Sequence, residues 1–514
     1  MKTLALSLLV VPFILFSQPK LLDPCSDTAA WKTFQSAGVL VKQQIDGGIV
    51  DPSLRFDVQF TKGSGYGGVF RNFDVPLPEN YQISFMMKAT VPVNNFEIKI
   101  SSDSLGETIW WENNKNYTYP SQWKRIIVKK RHIVYAWGPH AAPSADKLER
   151  LELVVTAGSG GRGSVWIKDL ELIPIPRPPS PLPAMTAASS SSRSTVKKIL
   201  PGVLGSWKSK TSKNEWVIVD FGYHREFGGV AIDWDRSLAG LRYDVLGSVD
   251  GQRFDTLYSA ENGKGGRVLL FTPEAEARYV KIAMKNNRSK KQFQIGDFNV
   301  IQSESLSTAN IFFEHLAAAA PKGFYPRYFL RQQSYWTVVG VPVDTREALL
   351  SEDGMLEVDK QRFSIEPFVA LNGELLTWAN GKNEQWLEEG YIPIPTVKRT
   401  YTDVAVTATV LARGEAERSS IMARYVVKNI SSQRRIGSLY LALRPFQVNP
   451  SSQWLNFEGG FARTEHIVME HQKAVAGEKT VFVSGNPSAF GASTIDQGDI
   501  VEQIAAGKLS AEHS

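Results

Sequence analysis

Seven aromatic residues fall within one short stretch: Trp110, Trp111, Tyr117, Tyr119, Trp123, Tyr135 and Trp137. Glu112, Asn113, Asn114 and His140 are interleaved with them or lie just beyond. Flat aromatic faces can stack on the C–H faces of sugar rings while amides and carboxylates take the hydroxyls. On a strand, alternate aromatics also fill a core. Trp110, Trp111 and Trp137 therefore stand as stacking candidates or core residues, and Trp123 reads as core. A second aromatic segment, with Trp378, Trp386 and Tyr391, is surrounded by Glu384, Glu388, Glu389 and Asp403. Glycoside hydrolysis needs two carboxyl groups roughly 5 to 10 Å apart; exposed loop acids are the simpler reading of these four. His466, Glu470 and His471 lack the His-Glu-x-x-His spacing of a zinc protease, and neither a Gly-x-Ser-x-Gly elbow nor a phosphate-binding Gly-x-x-x-x-Gly-Lys loop occurs. The sequence thus yields no catalytic constellation, and enzyme status stays open. Sequons at Asn116, Asn287 and Asn429 matter only in a eukaryotic secretory route.

The elements that must position these residues read as strands. Residues 82–88, 95–100, 123–129, 151–156 and 164–172 are short runs bounded by Pro, Asn and Gly, a spacing that favours a jelly-roll or related sandwich. A proline-dense stretch giving way to serines, residues 174–194, reads as a spacer with a flexible end. Residues 216–300 repeat the pattern of short strands, with turns at Phe221-Gly222, Gly228-Gly229, Asp250-Gly251 and Asn262-Gly263. Residues 311–320 look helical and Pro321 should stop them. The clearest alternation comes next: Val404, Val406, Ala408 and Val410 share one face, and 421–428 and 438–443 continue it. A short helix is expected near 499–506. The fold class is all-β: tandem β-sandwich modules of jelly-roll, galactose-binding-like form, followed by a larger antiparallel β-sandwich. The expected division is a signal peptide (1–17), a carbohydrate-binding-like sandwich (18–173), the linker (174–194), a second module (195–302), a helical connector (303–322) and the last sandwich (323–514).

The second module resembles the discoidin family, or coagulation-factor type C domains, over nearly its whole length. Trp207 matches the early core tryptophan, and Asn214-Glu215-Trp216-Val217-Ile218-Val219-Asp220-Phe221-Gly222 is similar to the family's W-hydrophobic-x-V-D-L-G strand. Tyr243-Asp244-Val245 with Ser248-Val249-Asp250-Gly251 fits its hairpin, and Ala277-Arg278-Tyr279-Val280-Lys281-Ile282 its A-R-Y-V-R strand. The resemblance implies that these residues build the fold and that ligands meet loops at one end, here 202–214, 234–241 and 285–293. Trp234, Arg236 and Arg288 are the candidate contacts. Related folds often hold a structural calcium through backbone and carboxylate oxygens; no loop here is dense enough in carboxylates to demonstrate one. The first module resembles carbohydrate-binding sandwiches through its aromatic set. The last third resembles the β-sandwich ahead of an (α/α)6 barrel in bacterial carbohydrate-active enzymes, through Phe324-Tyr325-Pro326-Arg327, Gln333-Ser334-Tyr335-Trp336, Glu366-Pro367-Phe368 and Leu443-Arg444-Pro445-Phe446. In such enzymes the catalytic acids lie on the barrel.

Composition agrees with packed domains: 514 residues, 43% hydrophobic and 21% charged, imply several cores. Lys2 followed by the apolar run 3–16 and Ser17 reads as an export signal, and no later run approaches the ~20 apolar residues of a membrane helix. The one cysteine, Cys25, rules out an intramolecular disulfide, fits a bacterial source, and reads as a free thiol in a flexible terminus. A net charge of +6 spread along the chain argues against nucleic acid as a partner, while the clusters 124–132 and 285–291 suit an anionic glycan or solvated loops. The expected function is that of an exported protein, periplasmic, secreted or cell-surface, that binds polysaccharide or glycoconjugate as the non-catalytic front of a polysaccharide-degrading enzyme. The alternative is a surface adhesion protein whose discoidin loops bind another protein.

Overall fold

A computed structural model describes residues 19–139, 144–453, 458–464, 467–470, 472–476, 479–485 and 487–509. The expected signal peptide lies outside the described residues, as do His140, His466 and His471. The chain is mostly strand and divides into two compact units, 1–178 and 179–514. Among the described residues no helix is long and apolar enough to cross a membrane.

Among its described residues the first unit has twelve strands: β1 (Lys20–Asp23), β2 (Lys32–Gln35), β3 (Val39–Asp46), β4 (Ser53–Phe60), β5 (Tyr66–Pro76), β6 (Tyr81–Ala89), β7 (Asn94–Ser101), β8 (Ile109–Tyr117), β9 (Lys124–Lys129), β10 (Val134–Trp137), β11 (Lys147–Thr156) and β12 (Arg162–Pro174). They form two antiparallel sheets, one ordered β3-β4-β12-β6-β9 with β1 beside β12, the other β10-β8-β7-β11-β5-β2. Period-two alternation fills the space between them. Leu54, Phe56 and Val58 of β4 and Ile83, Phe85 and Met87 of β6 meet Phe96, Ile98 and Ile100 of β7 and Leu151, Leu153 and Val155 of β11. Each such side chain, fully buried, contributes roughly 1.5–3 kcal/mol. Cys25 is not in a flexible terminus: it is fully buried in this core with φ +59°, and burial pushes its thiol up to about 12.

The second unit opens with a sheet of β13 (Thr186–Ser189), β14 (Trp207–Lys208), β15 (Glu215–Ser248), β16 (Asp255–Asn286) and β17 (Gln294–Ile301), in which β15 and β16 are long, repeatedly bulged strands. Val219, Phe221 and Ile282 fill its core together with Trp207, as expected, and Val217 and Val280 join them; Trp216 and Tyr279, also expected there, are half-buried outside that cluster because they alternate with its inward residues. The spacer proves shorter than expected. Thr186 to Ser189 pair with Asp220 to Val217, and the next two serines bind a buried carboxylate: Ser191 Oγ donates to Glu215 Oε2 at 2.8 Å, and Ser190 Oγ bonds the same oxygen. These serines are donors built into a module rather than a flexible tail.

Helix α1 (Ala309–Ala319), capped by the Thr308 side chain, leads into the last third. There the strand Ser364–Leu371 pairs with Gly437–Arg444 in one sheet, and a second, four-stranded sheet runs from Lys382–Glu388 through Ile392–Thr400 and Val404–Arg413 to Ser420–Asn429. Val404, Val406, Ala408 and Val410 face inward, as their alternation predicts. Helix α2 (Ile500–Ala505) closes the described chain; the carboxylate of its cap residue Asp499 accepts from Arg444, which also binds Glu366.

Candidate functional site

The second sheet of the first unit concentrates chemistry on the face turned away from the core. Because Phe96, Ile98 and Ile100 of β7 point inward, Glu97 and Lys99 must point outward. Register carries that face across the sheet. Lys99 lies opposite Trp111 and Glu152, Glu97 opposite Asn113, Glu152 opposite Phe70, and Thr156 opposite Tyr66. Phe34 lies opposite Gly68, and Trp137 opposite Ile109, two residues from Trp111 on the same side.

The floor is charged and buried. Glu97, Lys99 and Glu152 are 6%, 7% and 6% exposed. Lys99 Nζ lies 2.8 Å from Glu97 Oε2, and Arg150 Nε donates to Glu152 Oε1 at 2.6 Å. Aromatic rings stand over these charges. Lys99 Nζ is 5.3 Å from the Trp137 ring centroid, 5.6 Å from Trp111 and 5.9 Å from Tyr66, and the Arg150 guanidinium is 3.5 Å from Phe70. Trp111 and Trp137 meet edge to face, centroids 5.3 Å apart at 81°, with Trp137 and Tyr66 each 44% exposed. Two buried polar atoms of strand positions on this face, Asn113 Oδ1 and Thr156 Oγ1, have no hydrogen-bond partner among the described residues. The adjoining turn is fixed by Asp103. Burial raises its carboxyl pKa, but the N–H groups of Glu107 and Thr108 and the Ser101 hydroxyl outweigh burial and hold it below the usual range.

A buried ion pair seldom repays its own desolvation, so Lys99 with Glu97 is a poor stabiliser. What the pair supplies is fixed donors and acceptors beneath an aromatic rim. Such a surface suits a ligand that presents both C–H faces and hydroxyls.

In the middle module, β14 pairs Trp207 with Ile295, and Ser209 N donates to Phe293 O at 2.9 Å. Arg288 N donates to Ala239 O at 3.0 Å, so the loops 202–214, 234–241 and 285–293 meet at one end of the sheet. Residues 184–296 match the F5/8 type C domain. No curated protein matches the chain. Among solved structures, the family 11 carbohydrate-binding module of the cellulosomal cellulase Lic26A-Cel5E of Clostridium thermocellum is 19% identical, covering 31% of this chain and 95% of its own with a TM-score of 0.26. Chitosan-binding module 2 of a chitosanase/glucanase from Paenibacillus sp. IK-5 is 17% identical, over 23% of this chain and 95% of its own, with a TM-score of 0.21. CpGH89CBM32-6 of Clostridium perfringens is 14% identical, over 23% and 93%, with a TM-score of 0.20.

The sequence candidates separate by burial. Trp111 and Trp137 line the outward face of the first unit's second sheet. Trp110 is 2% exposed: as the neighbour of Trp111 on a strand it must face the other way, and it packs in the core against Tyr135. Trp234 is likewise 2% exposed, inside the F5/8 type C domain against Tyr243 and Phe293, so neither ring is presented to a ligand. Arg236 and Arg288 are exposed at the loop end of that domain. Trp123, read as core, is half-buried on the other sheet, with the Lys88 and Lys168 ammonium groups 4.9 and 4.7 Å from its ring. In the last third, Trp378 is core, Glu384 pairs with Lys398 and Asp403 with Arg435, and Glu388 and Glu389 are exposed. Among the described residues no group of three or more His, Cys, Asp or Glu is placed to hold a metal. Sequence reasoning missed Phe34, Tyr66, Phe70, Glu97, Lys99, Glu152 and Thr156. The alternation Phe96-Glu97-Ile98-Lys99-Ile100 was the signal that two charges share a face opposite a core.

Proposed function

We propose that this is an exported carbohydrate-binding protein whose primary glycan platform is the outward face of the β10-β8-β7-β11-β5-β2 sheet. The observation that carries the reading is the Trp111 and Trp137 corner standing over the buried Lys99 and Glu97 pair. The rings offer apolar faces for sugar C–H groups, Lys99 donates to hydroxyls, and Glu97, Asn113 Oδ1 and Thr156 Oγ1 accept from them. The loop end of the F5/8 type C domain, with Arg236 and Arg288, is a second contact on the same polymer. Two weak sites on one chain raise avidity when both engage one polysaccharide. The module order, with a third β-rich region behind two binding modules, supports a role at the non-catalytic front of a polysaccharide-degrading enzyme.

The test is affinity electrophoresis of the mature chain in gels containing neutral polysaccharides, with Trp137→Ala and Trp111→Ala beside the parent. Truncating a central aromatic of a binding surface costs about 1–2 kcal/mol or more, so retardation should weaken on the order of tenfold in each variant. Retardation that neither substitution changes would remove this face as the platform.

A further inference from the structure

The charge of the F5/8 type C domain is strongly lopsided. The three loops at its binding end, 202–214, 234–241 and 285–293, contain eight lysines and arginines and one carboxylate, Asp235. The rest of the domain from residue 184 to 300 is close to balanced, with eleven acids against ten lysines and arginines. An even spread of solvated charge would not gather eight cations and a single acid into one end of an otherwise balanced sandwich.

The backbone holds these loops as one surface. Ser209 N donates to Phe293 O and Phe293 N to Ser209 Oγ (2.8 Å), while Gln292 Nε2 donates to Lys210 O at 3.0 Å. Gly240 adopts φ +59°, and a Cβ there would lie 2.3 Å from Arg288 Cγ, so the Arg288 stem crosses the glycine with no room to spare. Lys285 is neutralised outside the loops, 2.9 Å from Asp244. Among the described residues, Lys208, Lys210, Lys291 and Arg236 form no ion pair. Asp235 does not quench them. Its Oδ1 accepts from the hydroxyl and N–H of Ser237, which hold the carboxyl below its usual range, with Lys291 and Lys208 close enough to add to the effect. A carboxylate already committed to its own turn leaves a surplus of positive charge facing solvent, fixed in place before any ligand arrives.

We propose that this loop end takes the carboxylate or sulfate groups of an acidic polysaccharide. The inference rests on reading these loops as the ligand-facing end of the domain and adds the chemical class they select. Closely spaced anions along a polymer match cations spread over three loops, whereas the exposed apolar side chains among them, Val203 and Leu204, belong to one loop tip and offer little area for insertion into a lipid surface. The first unit's platform, whose floor balances Lys99 and Arg150 against Glu97 and Glu152, carries no such surplus.

The experiment uses the mature full chain and measures affinity for polygalacturonate and dextran sulfate, with dextran as the neutral counterpart and phosphatidylserine vesicles as a lipid surface. The variants are the Lys208→Glu, Lys291→Glu pair, the milder Lys208→Gln, Lys291→Gln pair, and Trp137→Ala. The expected result is binding to both acidic polymers that weakens as salt is raised and falls on the order of tenfold in the Glu pair and less in the Gln pair, while Trp137→Ala, which lowers avidity by removing a platform ring, leaves the salt dependence in place. Equal affinity for dextran and dextran sulfate, unchanged binding in both lysine pairs, or a preference for the vesicles would each overturn the proposal. Loss of neutral-polymer binding alone in Trp137→Ala, or its absence from the parent, bears only on the platform of the first unit.

Discussion

Glu357 carries a pH signature that falls in the neutral range and belongs to one side chain. It is 1% exposed, and burial pushes its carboxyl up to about 7 although the N–H groups of Val448 (2.7 Å), Asn449 (3.2 Å) and Gln361 (3.2 Å) all donate to it. An acid whose folded pKa is raised binds more protons folded than unfolded between the two values. Its ionisation therefore costs nothing below the unfolded pKa near 4.5, and the cost grows with rising pH until it is complete above about 7. The shift corresponds to roughly 3 kcal/mol of stability lost between about pH 4.5 and about pH 8. Glu357→Gln removes the titration, and its one carbonyl oxygen still accepts from the N–H groups of Val448 and Asn449 while the bond from Gln361 N–H is given up. Urea melts of parent and variant should therefore diverge as pH rises, the variant becoming the more stable; parallel profiles would show that Glu357 is already ionised at little cost. The two adjacent tryptophans make a second contrast. Trp110→Ala empties a core site and should cost about 3–5 kcal/mol with glycan preference unchanged, whereas Trp111→Ala should weaken binding with a smaller change in melting temperature. Sequence alone presented both rings as equals, because the inward and outward senses of a strand are fixed only once its neighbours are known.

At the scale of elements, the platform depends on how closely β5 approaches β11. Gly68 stands opposite Val154, and a Cβ on it would lie 2.1 Å from Leu153 O, a backbone atom that cannot move without opening the sheet. Gly68→Ala should therefore cost about 1–3 kcal/mol and also weaken glycan binding, because β5 carries Tyr66 and Phe70 of the rim. Thermal melts and affinity gels on the same sample check both; a variant as stable as the parent would mean that β5 shifts without strain. The strands themselves were largely legible. Residues 82–88, 95–100, 151–156 and 164–172 all fall inside observed strands, the helix expected at 311–320 spans Ala309–Ala319, and the face shared by Val404, Val406, Ala408 and Val410 is buried. What stayed hidden was pairing. The match of Lys99 to Trp111 and Glu152 brings together residues 12 and 53 positions apart, and no local pattern reports which strands become neighbours.

At the scale of the whole molecule, the division of the chain differs from its reading as a string of separate modules. The F5/8 type C domain was recognisable from Trp207, Asp220 and the Ala277 to Ile282 strand because those residues build its fold, yet nothing in them shows that the domain shares a core with the last third of the chain. Phe271 stacks on Phe312 of α1 at 5.6 Å, and Leu269, Phe271 and Ile301 pack against the cluster formed by Leu306, Phe312 and Phe313. Two polar links reinforce this: Tyr258 bonds the half-buried Asp496, and Lys264 Nζ lies 2.5 Å from Glu502 on α2. An apolar seam joined by polar links should melt cooperatively, since unfolding either side exposes the ring faces of the other. Calorimetry of the chain should therefore show two transitions, one for the first unit with its own core and one for residues 179 onward, rather than three. Phe312→Ala removes a ring from the seam and should lower the second transition while leaving the first in place, at a cost of about 3–5 kcal/mol. If the second transition splits in the variant, the seam is what couples the F5/8 type C domain to the last third; if it is already split in the parent, the two sides fold independently and the packing of Phe271 on Phe312 contributes little to their coupling.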